Sequence, residues 1–223
     1  MALSRGPKIV TSGLVLALDA ADKNSYPGTG TTWTDLSGNG NNGTLSAMDG
    51  TNFSSTNGGK FSFDGINERV GCGNASSLQI TVGTISAWFK ATNTNSGYNG
   101  IITKQSAWGL FVTDNILLAY DWGAGGDRST GITVGDNTWH NATMTFTETI
   151  GTPSNNAIIY LDGLPVLTTT VKHSNQNVEV QIGDGNATQF ITGDIAQASI
   201  YNRVLSAAEI RQNYNALRGR FGI

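Results

Sequence analysis

The segment Gly193-Asp194-Ile195-Ala196-Gln197-Ala198-Ser199-Ile200-Tyr201-Asn202-Arg203-Val204-Leu205-Ser206-Ala207-Ala208-Glu209-Ile210 changes its hydrophobic period part-way along. Up to Tyr201 it reads as a strand, with Ile195, and then Ala196, Ala198 and Ile200, set among polar residues so that one face is buried and the other wetter. Ser206-Ala207-Ala208-Glu209 is a capping box: the Ser206 hydroxyl accepts from the backbone N–H near Glu209, whose carboxylate reaches back to the N–H of Ser206. The helix opened in this way carries Ile210, Tyr214 and Leu217 on one face. A long strand ending in one short capped helix is an unusual combination in a chain otherwise rich in strands.

Upstream, the same reading finds short strands almost everywhere. Leu14–Leu18 is fully apolar; Lys60–Phe63 and Arg69–Gly71 flank an Asp64-Gly65 turn. Val82–Lys90 alternates, and Ile101–Lys104, Trp108–Val112 and Ile116–Tyr120 form a tight meander, followed by a flexible Gly123–Asp127 loop. Trp139–Phe146 and Ala157–Leu161 alternate again, and Asp162-Gly163 is a two-residue hairpin signal of the type I′ kind. Leu164–Val171, Val178–Ile182 and Ile195–Tyr201 complete the set. Ser37–Gly43 is a loop of residues that tolerate positive φ, and Thr44–Gly59 is loop-like with room for a short strand. About a dozen short strands and one terminal helix predict an all-β fold, a two-sheet antiparallel β-sandwich.

Composition narrows the partners. Of 223 residues, 38% are hydrophobic and only 13% charged, so Asn, Thr, Ser and Gly must build most of the surface. Such a surface suits sugars or flat protein partners. The net charge of −3 and the lack of any Lys/Arg run argue against nucleic acid. A single cysteine, Cys72, leaves no internal disulfide and reads as a small core residue. The apolar run Gly13–Leu18 follows Arg5 and Lys8 but is too short for a signal peptide and ends at Asp19. Neither a secretion signal nor membrane insertion is expected.

Four further stretches stand in order with the closing segment: Asp35-Leu36-Ser37-Gly38-Asn39-Gly40-Asn41-Asn42-Gly43, Phe63-Asp64-Gly65, Trp139-His140 and Tyr160-Leu161-Asp162-Gly163, with Thr84-Ile85-Ser86-Ala87-Trp88-Phe89 between the second and third. Together they resemble laminin G-like domains of the concanavalin A-like lectin/glucanase superfamily, over roughly Gly13 to Leu217. The resemblance implies a jelly-roll sandwich over residues 13–217, preceded by an extended arm (1–12) and followed by a tail (218–223). Arm and tail are either disordered or docking peptides. The opening from Ile9 to Gly43 is also similar to the start of laminin G-like proteins encoded by tailed bacteriophages, cyanophages among them. That likeness implies a virion-surface protein assembled in the host cytoplasm, with other virion proteins as partners, as a homo-oligomer.

The glucanase branch of the superfamily hydrolyses glycosides with two carboxylates on one strand face. The four glutamates here, Glu68, Glu148, Glu179 and Glu209, have no second acid two or four positions away on a strand, so no enzyme activity is expected. Some laminin G-like relatives hold calcium at the sandwich rim, where several loops must converge to supply six to eight oxygens. Asp64, Asp184 and Asp194 could supply some of these, or serve only as turn residues. Asp162 reads as the hairpin's turn residue. Trp88 and Trp139 lie on alternating strands as core residues, and Trp33 packs under the Gly/Asn loop.

Trp122 differs, because the Gly-Ala-Gly-Gly-Asp-Arg loop after it can bury little. An indole there could stack on a sugar, with Asp121, Asp127 and Arg128 contacting hydroxyls and Tyr98 and Trp108 as further aromatic candidates. The competing reading is a rim aromatic covered by a neighbouring subunit. Two functions follow: a non-catalytic virion-surface protein (decoration, fibre or tail appendage) recognising host carbohydrate, or a purely structural cement protein that binds no sugar.

Overall fold

The computed structural model describes residues 7–92, 97–147, 154–172 and 176–223. Its strands are β1 (Leu14–Asp19), β2 (Thr32–Trp33), β3 (Gly43–Ser46), β4 (Phe53–Ser54), β5 (Lys60–Asp64), β6 (Arg69–Gly71), β7 (Gly83–Ala91) and β8 (Asn99–Lys104). They continue with β9 (Trp108–Thr113), β10 (Ile116–Tyr120), β11 (Asp127–Thr133), β12 (His140–Phe146), β13 (Ala157–Leu161), β14 (Leu164–Thr169), β15 (Val180–Ile182) and β16 (Thr192–Tyr201), before helix α1 (Ala207–Leu217). One antiparallel sheet runs β14-β13-β12-β7-β16-β5-β4, with β1 also on β16; the other runs β11-β10-β9-β8-β15-β6-β3-β2. The two inner faces bury a single apolar core that includes Leu16, Phe61, Phe89, Trp108 and Ile182. The sandwich and its terminal helix are as the sequence predicts.

Strand β16 contains a feature that simple alternation conceals. Its register against β7 shifts between Ile195, opposite Phe89, and Gln197, opposite Trp88. This bulge inserts Ala196 and reverses the parity of the strand. Ile195, Ala198 and Ile200 therefore all face the inter-sheet core, while Ala196 joins an aromatic cluster on the outer face of the same sheet.

That outer face is covered by α1. Ser206 accepts from the N–H of Glu209, whose carboxylate accepts from the N–H of Ser206 at 2.8 Å, so the capping box forms as expected. Ile210 packs with Tyr160 and Tyr201, and Tyr214 stacks on Trp88 at 5.5 Å between ring centres. Trp88 and Trp139 are buried, but under the helix and tail instead of between the sheets. Trp33, by contrast, lies in the main core against Phe61. The Gly/Asn loop is knotted by the Asp35 carboxylate, which accepts from the N–H groups of Ala17, Ser37 and Asn41. Cys72 is buried in the core, and burial pushes its thiol pKa up, which leaves it protonated and inert.

The C-terminal tail and the described half of the arm are fastened to the domain. In residues 218–223, Phe221 and Arg220 are docked on the domain, while Ile223 is exposed. Phe221 stacks on Trp88 at 4.3 Å and packs on Trp139 at 4.6 Å. Arg220 pairs with Asp19 at 2.6 Å and donates to the carbonyls of Asn57 and Gly59. In the described half of the arm, Lys8 accepts from Gln212, Val10 donates to Asn213, and Tyr201 donates to the Val10 carbonyl. The edge strand β11 has no counterpart in the sequence reading, which ends its loop at Asp127. Its polar side chains are exposed or half-buried, so no apolar period marks it.

The Asp162-Gly163 turn has positive φ at both positions, 52° and 75°, as a type I′ hairpin requires. The Asp162 carboxylate also accepts from the Asn141 N–H at 2.8 Å and meets His140 Nδ1 at 2.9 Å, while Asp136 approaches Nε2 at 3.4 Å. Burial disfavours the imidazolium, but the hydrogen bond and charge of Asp162, helped by Asp136, outweigh it and raise the His140 pKa.

Two predictions follow from these contacts. Phe221→Ala removes a buried ring and should cost about 3 kcal/mol, a fall in Tm of roughly 10 °C; an unchanged melting curve would mean the tail is not docked. Because the folded His140 pKa lies above the unfolded value, its contribution is complete below the unfolded pKa of about 6.5 and fades as pH rises through the folded pKa. Urea unfolding should therefore show His140→Gln least stable relative to the parent near pH 5.5, with the gap closing above pH 8. A gap that widens with pH would refute the assignment.

Candidate functional site: an aromatic pit on the second sheet

The outer face of the second sheet carries a pit of about 170 Å³ lined by Tyr98, Gln105, Phe111, Tyr120, Trp122 and Gln189. Strand alternation builds it. Trp108, Leu110 and Val112 of β9 face the core, so Phe111 must face out. Tyr120, at the end of β10, and Trp122, two residues on, present their rings together, 5.1 Å apart and edge to face. Tyr98 packs edge-on against Phe111 at 5.7 Å and Tyr120 at 5.4 Å, and Trp122 lies 6.0 Å from Phe111. Such tilted geometries suit the ring quadrupoles.

Two loops are held rigidly around these rings. The Asp121 carboxylate, fully buried, accepts from the N–H groups of Gly123, Ala124 and Lys172 and pairs with Arg128 at 2.6 Å. Arg128 in turn donates to the Thr170 carbonyl at 2.7 Å. In the second loop the Asp184 carboxylate, also buried, accepts from the N–H groups of Gly185, Asn186, Ala187 and Gln189. Gly185 has a steric reason: a Cβ there would sit 2.5 Å from both the Phe111 ring and the Gln189 Oε1.

Of the residues singled out in the sequence, Tyr98 and Trp122 line the pit. Asp127 stands beside it and accepts from the Tyr98 hydroxyl at 2.8 Å. Burial, then that hydrogen bond and the Asp127 charge, push the Tyr98 pKa up to about 12. Asp121 and Arg128 are spent on each other and on the backbone, so they position Trp122 and do not face a ligand. Trp108 is fully buried, stacked near Phe146, and is not part of the pit. Phe111, Tyr120, Gln105 and Gln189 are additions. Phe111 was detectable as an aromatic out of phase with Trp108, Leu110 and Val112, and Tyr120 as the same-face neighbour of Trp122.

The three aspartates considered for calcium do not converge. Asp184 is saturated by four amides. Asp194 pairs with Lys60 at 2.7 Å and Lys90 at 3.0 Å and accepts from Ser62; burial opposes its charge, but these donors hold its pKa below the usual carboxylate value. Asp64 closes its own turn by accepting from the Ile66 N–H. Among the described residues no three His, Cys, Asp or Glu side chains are placed to hold a metal, and these carboxylates do not fit a calcium site. Glu148 and His173 lie outside the described residues. A separate polar groove on the same sheet is lined by Asn41, Thr44, Arg69, Asn74 and Glu179.

The loop knot is testable. Asp121→Ala would leave Arg128 and three amides without their acceptor, and should cost about 3 kcal/mol and release Trp122, read as a red shift of indole fluorescence. Unchanged stability and fluorescence would show that the knot does not hold the loop.

The fold is shared with proteins of very different sequence. The binding domain of Paraclostridial Mosquitocidal Protein 1 superimposes with a TM-score of 0.66 at 17% identity, covering 92% of this chain and 52% of that one. Trypanosoma rangeli sialidase in complex with the inhibitor DANA gives 0.68 at 16%, covering 93% and 33%. The Botulinum Neurotoxin Type G Receptor Binding Domain gives 0.58 at 19%, covering 91% and 51%. The chain thus spans about half of the two toxin domains and a third of the sialidase, and likeness at this identity concerns the fold alone. No curated protein sequence matches the chain. The family model described as "Concanavalin A-like lectin/glucanases superfamily" matches residues 64–211, more than half of the sequence, and the chain belongs to this family.

Proposed function

We propose that this protein is a non-catalytic carbohydrate-recognition domain that binds host-surface polysaccharide through the aromatic pit. We further propose, from the resemblance of residues 9–43 to tailed-phage proteins, that it is displayed on a virion as a decoration, fibre or tail appendage. On that reading it assembles in the host cytoplasm with other virion proteins, as a homo-oligomer whose copies bind together.

One observation carries the proposal: four aromatic rings and two carboxamides meet in a pit that no charged side chain lines. A sugar ring presents an apolar C–H face and a belt of hydroxyls, which such a surface matches with stacking and neutral hydrogen bonds. Support also comes from family membership and from two structural neighbours that are themselves named as binding domains. Hydrolysis would need paired carboxylates at the bound sugar, and the pit lining contains none.

The test is binding of the purified chain to host envelope polysaccharide and to a glycan array, with and without chelator. Trp122 is only half-buried, so Trp122→Ala should fold normally yet lose about 2 kcal/mol of binding, some thirtyfold. Trp108→Ala should instead destabilise the fold by about 3 to 5 kcal/mol. Saturable binding indifferent to Trp122→Ala would move the site elsewhere. No binding to any glycan, with self-association that buries Trp122, would favour the structural cement role.

A further inference from the structure

We infer that the pit receives the N-acyl substituent of an amino sugar, with the sugar ring itself lying across the mouth. The inference rests on the carbohydrate reading above and narrows it to one ligand class.

Size is the first argument. An apolar cavity of about 150 Å³ holds benzene, about six non-hydrogen atoms, and the pit is about 170 Å³. A hexose has about twice as many atoms as that, so a substituent can enter and a whole ring cannot. The lining then selects the substituent. A carboxylate or ammonium group would be desolvated with no countercharge in the pit, at a cost of several kcal/mol. A hydroxymethyl group would leave much of the pit empty and offer the aromatic walls little to pack against. An acetamido group has a methyl for the rings, one N–H donor and one carbonyl acceptor.

Gln105 supplies an uncommitted carboxamide. It lines the pit, and its Oε1 is buried with no hydrogen-bond partner. Turning the carboxamide about its soft terminal torsion exchanges its two ends, so that Oε1 faces the pit and the amine takes its buried place, and no hydrogen bond accepted by Oε1 is lost. The acetamido N–H would donate there, and the amide of Gln189, which also lines the pit, would donate to the acyl carbonyl. The rings are already in place, because Asp127 accepts from Tyr98 and Gly185 leaves room for Phe111.

Oligosaccharides of N-acetylglucosamine and N-acetylgalactosamine, each paired with its unacylated counterpart, test this by calorimetry and saturation-transfer NMR on the full chain. The acylated members should bind about tenfold tighter, with the acetamido methyl receiving the strongest saturation. Gln105→Leu should erase most of that preference with little change in Tm, since the lost oxygen has no internal partner. If Gln105→Leu fails to fold, the methyl saturation of the parent protein still decides. Equal affinity for both members of each pair, or saturation strongest on ring protons, overturns the inference; if Trp122→Ala still abolishes that binding, the carbohydrate reading stands without it. Failure of every pair to bind also overturns it, while the polysaccharide and array measurements judge the broader reading separately.

Discussion

Strand β16 is hydrogen-bonded on both of its edges. One edge pairs with β7 along almost the whole strand; the other is shared by β5 near its start and β1 near its end. Three segments distant in sequence therefore converge on one backbone, and none could keep its register if β16 were displaced. The bulge at Ala196 reconciles the two halves of this strand. Without the extra residue, either Ile195 or the pair Ala198 and Ile200 would face out, because a one-residue slip turns every later side chain over. The bulge also places Ala196, a small residue, beneath the aromatic cluster of Trp88, Trp139, Tyr214 and Phe221.

The two sheets use their outer faces differently. On the first, helix and tail cover the aromatics completely, so Trp88 and Phe221 contribute to stability. On the second, no helix of the described residues lies over the rings of Tyr98, Phe111, Tyr120 and Trp122, which pack on one another and on the Gly185–Gln189 loop and leave a pit open. The same residue types are thus closed over on one side and left as an open pit on the other. Charge follows the same division of labour: Asp121 and Asp184 are consumed by backbone amides, which fixes the loops and leaves the pit neutral.

Much of the fold was legible because its signals are local. The capping box at Ser206 and the Asp162-Gly163 turn each depend on a few neighbouring residues, and both form as read. The bulge was not legible, since Ala196 and Ala198 look alike in an alternating strand. Nor was β11, an exposed edge whose pairing with β10 needs no apolar side chains. In the pit, the glycines around Trp122 marked it as exposed, but the phase of β9 was needed to separate Phe111, facing out, from Trp108, facing in. The carboxylates misled for a related reason: Asp121 and Arg128 beside an exposed indole resemble ligand contacts until their backbone partners are known. Likewise Asp184 and Asp194 resemble cation ligands until their donors are counted.

The docking of residues 7–12 and of the C-terminal tail sets the two outer faces of the sandwich apart. Residues 7–12 lie against α1, and Phe221 lies on Trp88, so the described ends leave the sandwich on the outer side of the first sheet. The pit opens on the outer side of the second. The thickness of two sheets therefore separates residues 7–12 and the C-terminal tail from the rings of Trp122 and Tyr120. Which sheet the helix covers thus decides which outer face is closed and which is left with open rings.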